Sequence, residues 1–295
     1  GDLDPNNPGL EAWVVHEDTG SAYAHDLHDA RTGKILWGAN TNTDNGRGMA
    51  GDIDASSPGY EMWSSAGAGI YSCKGKQLST AKPSVNFRVY WDGDLQDDLL
   101  DGTSKELCPM KIDRWNGSGF DRLITTDASS GSHVGWTNNS TKNNPVLSAD
   151  LFGDWREELI VRQDDNSALL IYSTTIPTTH RLYTLMHDPV YRAGVAWQNT
   201  AYNQPPHLGF WLGVGVDKAP KPDIALVGRT TASIAPASSR SGIALRAIRQ
   251  GRKLSLLAPW AEATTVRLAN LQGEIVSESS SPPESSAAIE IQIPA

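Results

Sequence analysis

Acidic side chains recur at a fixed spacing in this sequence, and that spacing suits a hard cation. GDLDPNNPGLEAW begins at Gly1 and GDIDASSPGYEMW at Gly51, and the two share one pattern without a gap. Each places two aspartates at alternate positions, then a small polar residue, Pro-Gly, a large apolar residue, a glutamate and a tryptophan. Calcium takes about six to eight oxygen ligands, and a tight loop presents alternate side chains to one centre. Asp2, Asp4, Asn6 and Glu11 make up one such set, and Asp52, Asp54, Ser56 and Glu61 the next. Looser relatives follow in YWDGDLQDDLLDG, with Asp92, Asp94 and Asp98, and in SADLFGDWREELIV, with Asp150, Asp154, Glu157 and Glu158. These residue types are also ordinary turn formers. One copy would be read that way; repetition favours calcium in at least one loop. No CxxC or HExxH spacing occurs, so zinc is not expected. Ions held at regular intervals would pin the fold rather than perform chemistry.

The elements that carry these loops read as strands. The loops recur every ~40–60 residues, the interval for one blade of a β-propeller. Between them, SAYAHDLHDARTGKILWG turns at Thr32 and Gly33, GIYSCKGKQLS at Lys74 and Gly75, and DNSALLIYSTT before Asn166, each as a hairpin. The 27 Gly, 17 Pro, 10 Trp and 8 Tyr favour short strands and tight turns over long helices. The expectation is an all-β chain built as a propeller, with a solenoid or sandwich as the plainer alternative. From about Gly228 the composition turns to Ser and Ala, and RKLSLLAPW, TTVRLANLQGEIVSE and AAIEIQIPA read as strands. Residues 1–228 are therefore expected to form the propeller portion and 229–295 a small appended β module without chemistry of its own.

The net charge of −9 argues against nucleic acid as a partner, because that role needs clustered Lys and Arg. It leaves room for acidic sugars bridged through cations. No apolar run is long enough for a membrane-spanning helix. The opening residues are not a signal peptide and read as the middle of a repeat. Cys73 and Cys108 allow one disulfide or two buried thiols, and the spacing does not decide.

Longer stretches carry a resemblance. GRGMAGDID, NNSTKNNP, ADLFGDWREELI, IYSTTIPTTHRLYTLMHDPVYR and AWQNTAYNQPPHLGFWLG, spread over residues 1–215, resemble polysaccharide lyase family 11. The resemblance implies a secreted, monomeric rhamnogalacturonan lyase with an eight-bladed propeller, bound calcium and a cleft over the propeller centre. Its substrate is rhamnogalacturonan I, an acidic pectic polysaccharide. The family domain is longer than the match, so the chain is expected to hold the carboxy-terminal blades and lack the amino-terminal half, including an HGD-type motif of metal ligands.

The implied reaction removes the C5 proton of galacturonate and expels the 4-linked oxygen. That proton becomes acidic once the adjacent carboxylate is neutralised by a cation, and a base must then take it. Arg47, between Gly46 and Gly48, and Lys142 match the family's active-site motifs. Arginine holds a carboxylate bidentately but stays protonated, whereas lysine beside other cations can lose its proton. The resemblance therefore implies Lys142 as base and Arg47 as neutraliser. By residue type alone they would be a loop lysine and a structural arginine. Asn139 and Thr141 resemble substrate contacts, Ser140 stands where the family usually carries Gly, and Glu17 matches a calcium ligand at the cleft. His16 reads as a packed residue.

His180, His187 and His207 make no catalytic triad by spacing. Asp188 and Arg192 are expected to pair structurally, and Asn203 and Gln204 with their two prolines form an ordered loop able to edge the cleft. Two other readings stand beside the lyase: a non-catalytic calcium propeller that binds carbohydrate or protein, and an inactive fragment with exposed sheet edges.

Overall fold

The structure is a computed structural model. It describes residues 1–41, 43–104, 108–126, 134–198, 200, 203–216 and 219–220, and the strands of the last seventy residues. The chain divides into two compact units, Gly1–Ala225 and Leu226–Ala295. The composition change at Gly228 and the boundary expected there lie outside the described residues.

The first unit is a series of antiparallel meanders. β1 (Glu11–Val15), β2 (His25–Asp29) and β3 (Ile35–Ala39) form the first sheet. β4 (Gly48–Gly51), β5 (Glu61–Ser64), β6 (Ile70–Ser72) and β7 (Gln77–Ser79) form the second. β8 (Phe87–Val89), β9 (Asp98–Gly102), β10 (Met110–Trp115) and β11 (Phe120–Thr125) form the third. In the fourth, β14 (Glu158–Gln163) pairs on one edge with β12 (Gly135–Trp136) and β13 (Leu147–Ala149), and on the other with β15 (Leu169–Tyr172). The expected hairpins are present. Gly33 and Gly75 turn them at φ 72° and 76°, and Asn166 turns the last at φ 62°. Among the described residues the sheets do not join into a closed barrel.

Successive side chains on a strand point to opposite faces, and the sheets use this to stack. On β5, Met62 packs with Leu27 of the first sheet, while its neighbour Trp63 packs with Leu99 of the third. On β9, Leu99 faces back and Leu100 faces forward to Leu159 and Val161 of the fourth sheet. Apolar pairs such as Met62–Trp63 and Leu99–Leu100 are thus buried on both faces, which explains why these strands lack the alternation of a half-exposed sheet. Met62, Trp63, Leu99 and Leu100 are each at most 1% exposed.

A short helix, α1 (Pro189–Trp197), packs beside β13. Asp188 caps it, accepting hydrogen bonds from the amides of Val190 and Tyr191, with proline in its first turn. The expected Asp188–Arg192 ion pair is not formed. The Asp188 carboxylate also takes the Gly209 amide, and Arg192 donates to the carbonyls of Met186 and His187. Cys73 and Cys108 are both buried free thiols. Burial pushes the Cys73 thiol up to about 12. The second unit contains β16 (Arg246–Gln250), β17 (Lys253–Leu257), β18 (Thr264–Ala269), β19 (Ile275–Ser281) and β20 (Ile289–Gln292), paired β16–β17–β20 and β18–β19.

Candidate functional site

The basic residues and the acidic loops sit at opposite ends of the strands. Arg47 directly precedes β4 and Asp52 follows it, so about 13 Å of strand separates them. Lys142 likewise precedes β13 and Asp150 follows it. β1 runs antiparallel to this order, so Glu17, two residues past its end, returns to the Arg47 side.

At that end, Glu17, Arg47 and Gln204 line a cleft of about 360 Å³ with Trp13, Val15, Gly46 and Gly48. The glycine at position 48 is required: a Cβ would lie 2.4 Å from Val15 Cγ1 and 2.8 Å from Trp13 Nε1. Arg47 donates through Nε to the Val85 carbonyl and through Nη2 to the Asn86 carbonyl, both at 3.4 Å. Lys142 does not line this cleft; it ends a short 3-10 turn, Ser140–Lys142. Asn86 joins the two parts. Its carbonyl receives Arg47, while its Nδ2 donates to the Thr141 carbonyl at 3.1 Å and to Asp101 Oδ1 at 2.8 Å. Asp101 is held in turn by Ser84 Oγ at 2.8 Å.

The Lys142 loop is closed on itself by paired backbone bonds between Asn138 and Asn144. Asn139, Ser140 and Asn143 adopt φ of 65°, 48° and 45°. Asparagine tolerates this left-handed region, but serine does so at a cost, which is the physical reason a glycine suits position 140. Asn139 and Thr141 are exposed. Asn143 Oδ1 accepts from Thr137 Oγ1 and fits against Gly102, where a Cβ would lie 2.1 Å away. The expected Asn203–Gln204 edge is also in place. Asn203 accepts from Asn144 Nδ2 and donates to the Pro145 carbonyl, while Gln204 reaches the Arg47 cleft. Sequence reasoning missed Asn86 and Asp101. Asn86 meets partners 39 and 55 residues away in the chain, so no local pattern exposes it.

At the acidic end the repeats share one device. The acid that opens the strand after each loop accepts backbone amides from that loop: Glu11 from Leu3 and Asp4, Glu61 from Ile53 and Asp54, Asp98 from Asp92, and Glu158 from Leu151 and Phe152. All four acids are at most 3% exposed. Asp4, Asp54, Asp92 and Asp154 each accept the amide two residues on, the Asx-turn that forms the loop. Three loops meet a cation of the chain itself, through Asp4–Lys74, Asp92–Arg114 and Asp154–Arg156. In the second loop Asp52, Asp54 and Glu61 form no ion pair among the described residues.

Electrostatics mark the same loop. Burial, then the charge of Glu61, pushes Asp52 up to about 9, and burial pushes Glu61 up to about 8. In the third loop burial and Asp92 push Asp94 up to about 6, and Asp98 is raised by burial and the same neighbour. Asp2 is raised by burial, and its Oδ1 is buried without a hydrogen-bond partner. Among the described residues no three His, Cys, Asp or Glu side chains are grouped so that they could hold a metal ion. Calcium also takes carbonyl, amide and hydroxyl oxygens, which the loops supply alongside the Asp52–Asp54–Glu61 carboxylates. By donor type the set suits a structural calcium, but its carboxylates are not gathered about one centre in this structure. At the cleft, Glu17 is the single carboxylate lining the site, which does not make a calcium site by itself.

A buried network backs the acidic end. Arg88, 0% exposed, donates to Asp97 Oδ1 at 3.2 Å and Glu157 Oε2 at 3.1 Å, and lies over the Tyr90 ring. Tyr191 of α1 donates to Glu157 Oε1 at 2.7 Å, and Asp97 Oδ2 accepts the Asp52 amide at 2.9 Å.

The described sheets are antiparallel meanders with acidic turn loops at one end of their strands and, at the other, the Arg47 cleft with the Lys142 turn tied to it through Asn86. Residues 1–222 match the family described as Rhamnogalacturonan lyase family 11, C-terminal domain, and the chain belongs to it. The rhamnogalacturonan endolyase YesW of Bacillus subtilis (strain 168) is 52% identical over 228 residues, covering 76% of this chain and 34% of that protein. The rhamnogalacturonan exolyase YesX of the same organism is 50% identical over 241 residues, covering 77% of this chain and 38% of that one. The crystal structures of YesW and of the exotype lyase YesX each superpose with a TM-score of 0.69, covering 76% and 75% of this chain. The chain thus spans little more than a third of the length of these relatives.

Proposed function

We propose that this chain supplies the carboxy-terminal blades of a propeller-type rhamnogalacturonan lyase, and with them the residues that perform β-elimination at galacturonate. The observation that carries this reading is the Asn86 link, which fixes Arg47 and the Lys142 turn relative to one another from two separate sheets.

In this reading Arg47 faces the galacturonate carboxylate and neutralises its charge as the proton beside it is lost. Lys142 is the base, and its amine nitrogen takes the C5 proton. The C5–H electron pair forms the C4–C5 double bond, the C4–O bond breaks, and the departing oxygen leaves to be protonated. Asn139 and Thr141, exposed on the same turn, bind sugar hydroxyls. Calcium, if bound, would be held by oxygens of the Asp52–Asp54–Glu61 loop and would supply stability there, away from the reaction. The substrate polymer places the whole protein outside the cytoplasm.

Incubating the chain with rhamnogalacturonan and following the absorbance of the unsaturated uronate tests the proposal. Product formation that Arg47→Ala abolishes without lowering the melting temperature supports it. Product formation indifferent to Arg47→Ala overturns the assignment of the cleft.

A further inference from the structure

A second groove lies at the acidic end of the sheets, away from the Arg47 cleft. Its walls are Gly153–Arg156 of the fourth acidic loop and the extended segment 174–182, and it encloses about 630 Å³, against about 360 Å³ for the Arg47 cleft. The segment has no regular secondary structure, yet it is pinned. Thr178 Oγ1 donates to the Gly93 carbonyl at 2.6 Å, and Arg156 Nη1 donates to the Ile176 carbonyl.

The chemistry of this groove runs against that of the chain. On a protein of net charge −9, Arg156, Arg181 and His180 line it with Asp154 as the one carboxylate. Asp154 already holds Arg156 Nη2 at 2.6 Å. Arg181 is exposed and donates to the carbonyls of Thr178 and His180, each at 2.9 Å. Thr174 and Thr175 add hydroxyls to the same wall.

Two features of this wall are not accounted for by the fold. Trp155 is 1% exposed and its Nε1 has no hydrogen-bond partner; Arg156 Nε is equally buried and equally without one. Both orphaned atoms are donors, and unsatisfied donors in a folded protein call for an explanation. Trp155 also has φ 75°, a conformation costly for a bulky aromatic residue and concentrated at ligand clamps.

We propose that this groove is a second, non-catalytic saccharide site that takes a uronate, its carboxylate against Arg181 and its hydroxyls on Thr174, Thr175 and His180. The inference rests on the reading of the chain as part of a lyase for an acidic pectic polymer. A polymer with recurrent carboxylates engages two sites at once, so the groove would raise the effective concentration of the chain at the cleft.

Titration calorimetry of the full chain with trigalacturonate, and with maltotriose as a neutral control, tests this. The expected result is trigalacturonate binding that weakens with salt, survives Lys142→Ala, falls about 10-fold or more in Arg181→Ala and is largely kept by Arg181→Lys. Maltotriose binds far more weakly. On polymer, Arg181→Ala raises KM and leaves kcat unchanged. Affinity unchanged in both Arg181→Ala and Thr175→Ala, with melting temperatures intact, overturns the proposal, as does binding lost in Lys142→Ala. Arg181-dependent binding by a chain that forms no product supports the groove and counts against the lyase reading alone.

Discussion

Arg88 and Arg47 are the same side chain in two settings. Arg88 is sealed in β8 between Asp97 and Glu157, and those partners hold its pKa up against the burial that would lower it. Arg47 sits half-buried at the mouth of a cleft, on 3.4 Å bonds to two main-chain carbonyls. A buried arginine whose Nη1 bridges two carboxylates ties together the acidic loops and α1 that those carboxylates reach. An arginine beside a cleft can meet a ligand carboxylate at little structural cost. The difference teaches that burial, rather than residue type, separates scaffold from site in this molecule.

Arg88→Met would sharpen the contrast most. It leaves Asp97 and Glu157 buried without their cation and should cost about 3–5 kcal/mol in urea unfolding. A loss below about 1 kcal/mol would break the claim that this network fixes the acidic end.

Calcium at the second loop comes next. At ~100-fold excess over its dissociation constant a single ion adds about 2.7 kcal/mol of stability. Calcium should therefore raise the melting temperature of the wild-type chain, and Glu61→Gln should remove most of that rise. A calcium response unaltered in Glu61→Gln would move the ion elsewhere.

Asn86→Ala probes the link across the cleft. Losing its side-chain bonds to Thr141 and Asp101 should cost about 1–2 kcal/mol. It should also lower turnover by about 10-fold through misplacement of the Lys142 turn. Loss of stability with full turnover would reduce Asn86 to a structural role.

His25 gives the smallest effect. It lies under the cleft end, where its Nδ1 meets Ser64 Oγ at 2.8 Å, and Asn45 Nδ2 reaches the same hydroxyl at 2.9 Å. Burial lowers its pKa from 6.5. The folded chain keeps the ring neutral while the unfolded chain takes up a proton below pH 6.5, so stability is full above that pH and is lost as pH falls toward the folded value. The slope is at most about 1.4 kcal/mol per pH unit. His25→Gln should flatten the melting temperature between pH 6.5 and 5 relative to wild type; an unchanged slope would assign the effect to another group.

What the sequence revealed of this arrangement was its local part. The acidic loops and the Thr32–Gly33, Lys74–Gly75 and Asn166 turns depend on neighbours a few positions apart, so repeat spacing and turn chemistry expose them. The helix cap at Asp188 was equally local, as Asp-Pro at a helix start, and was overlooked in favour of a pair with Arg192. The Asn86 link and the Arg88 network join residues from different sheets. Arg88 sits inside the apolar run FRVYW, where a strand is legible but the carboxylates that meet its side chain are not. Arg47 and Lys142 came from resemblance, and nothing in their spacing predicts that one asparagine would serve both.

The most direct test of the account is the rate of unsaturated-uronate formation from rhamnogalacturonan by the wild-type chain and by Lys142→Ala. The account predicts product from the wild type and a loss of about 100-fold or more in the variant at an unchanged melting temperature. Near-normal turnover by Lys142→Ala, or no product from the wild type, would contradict it.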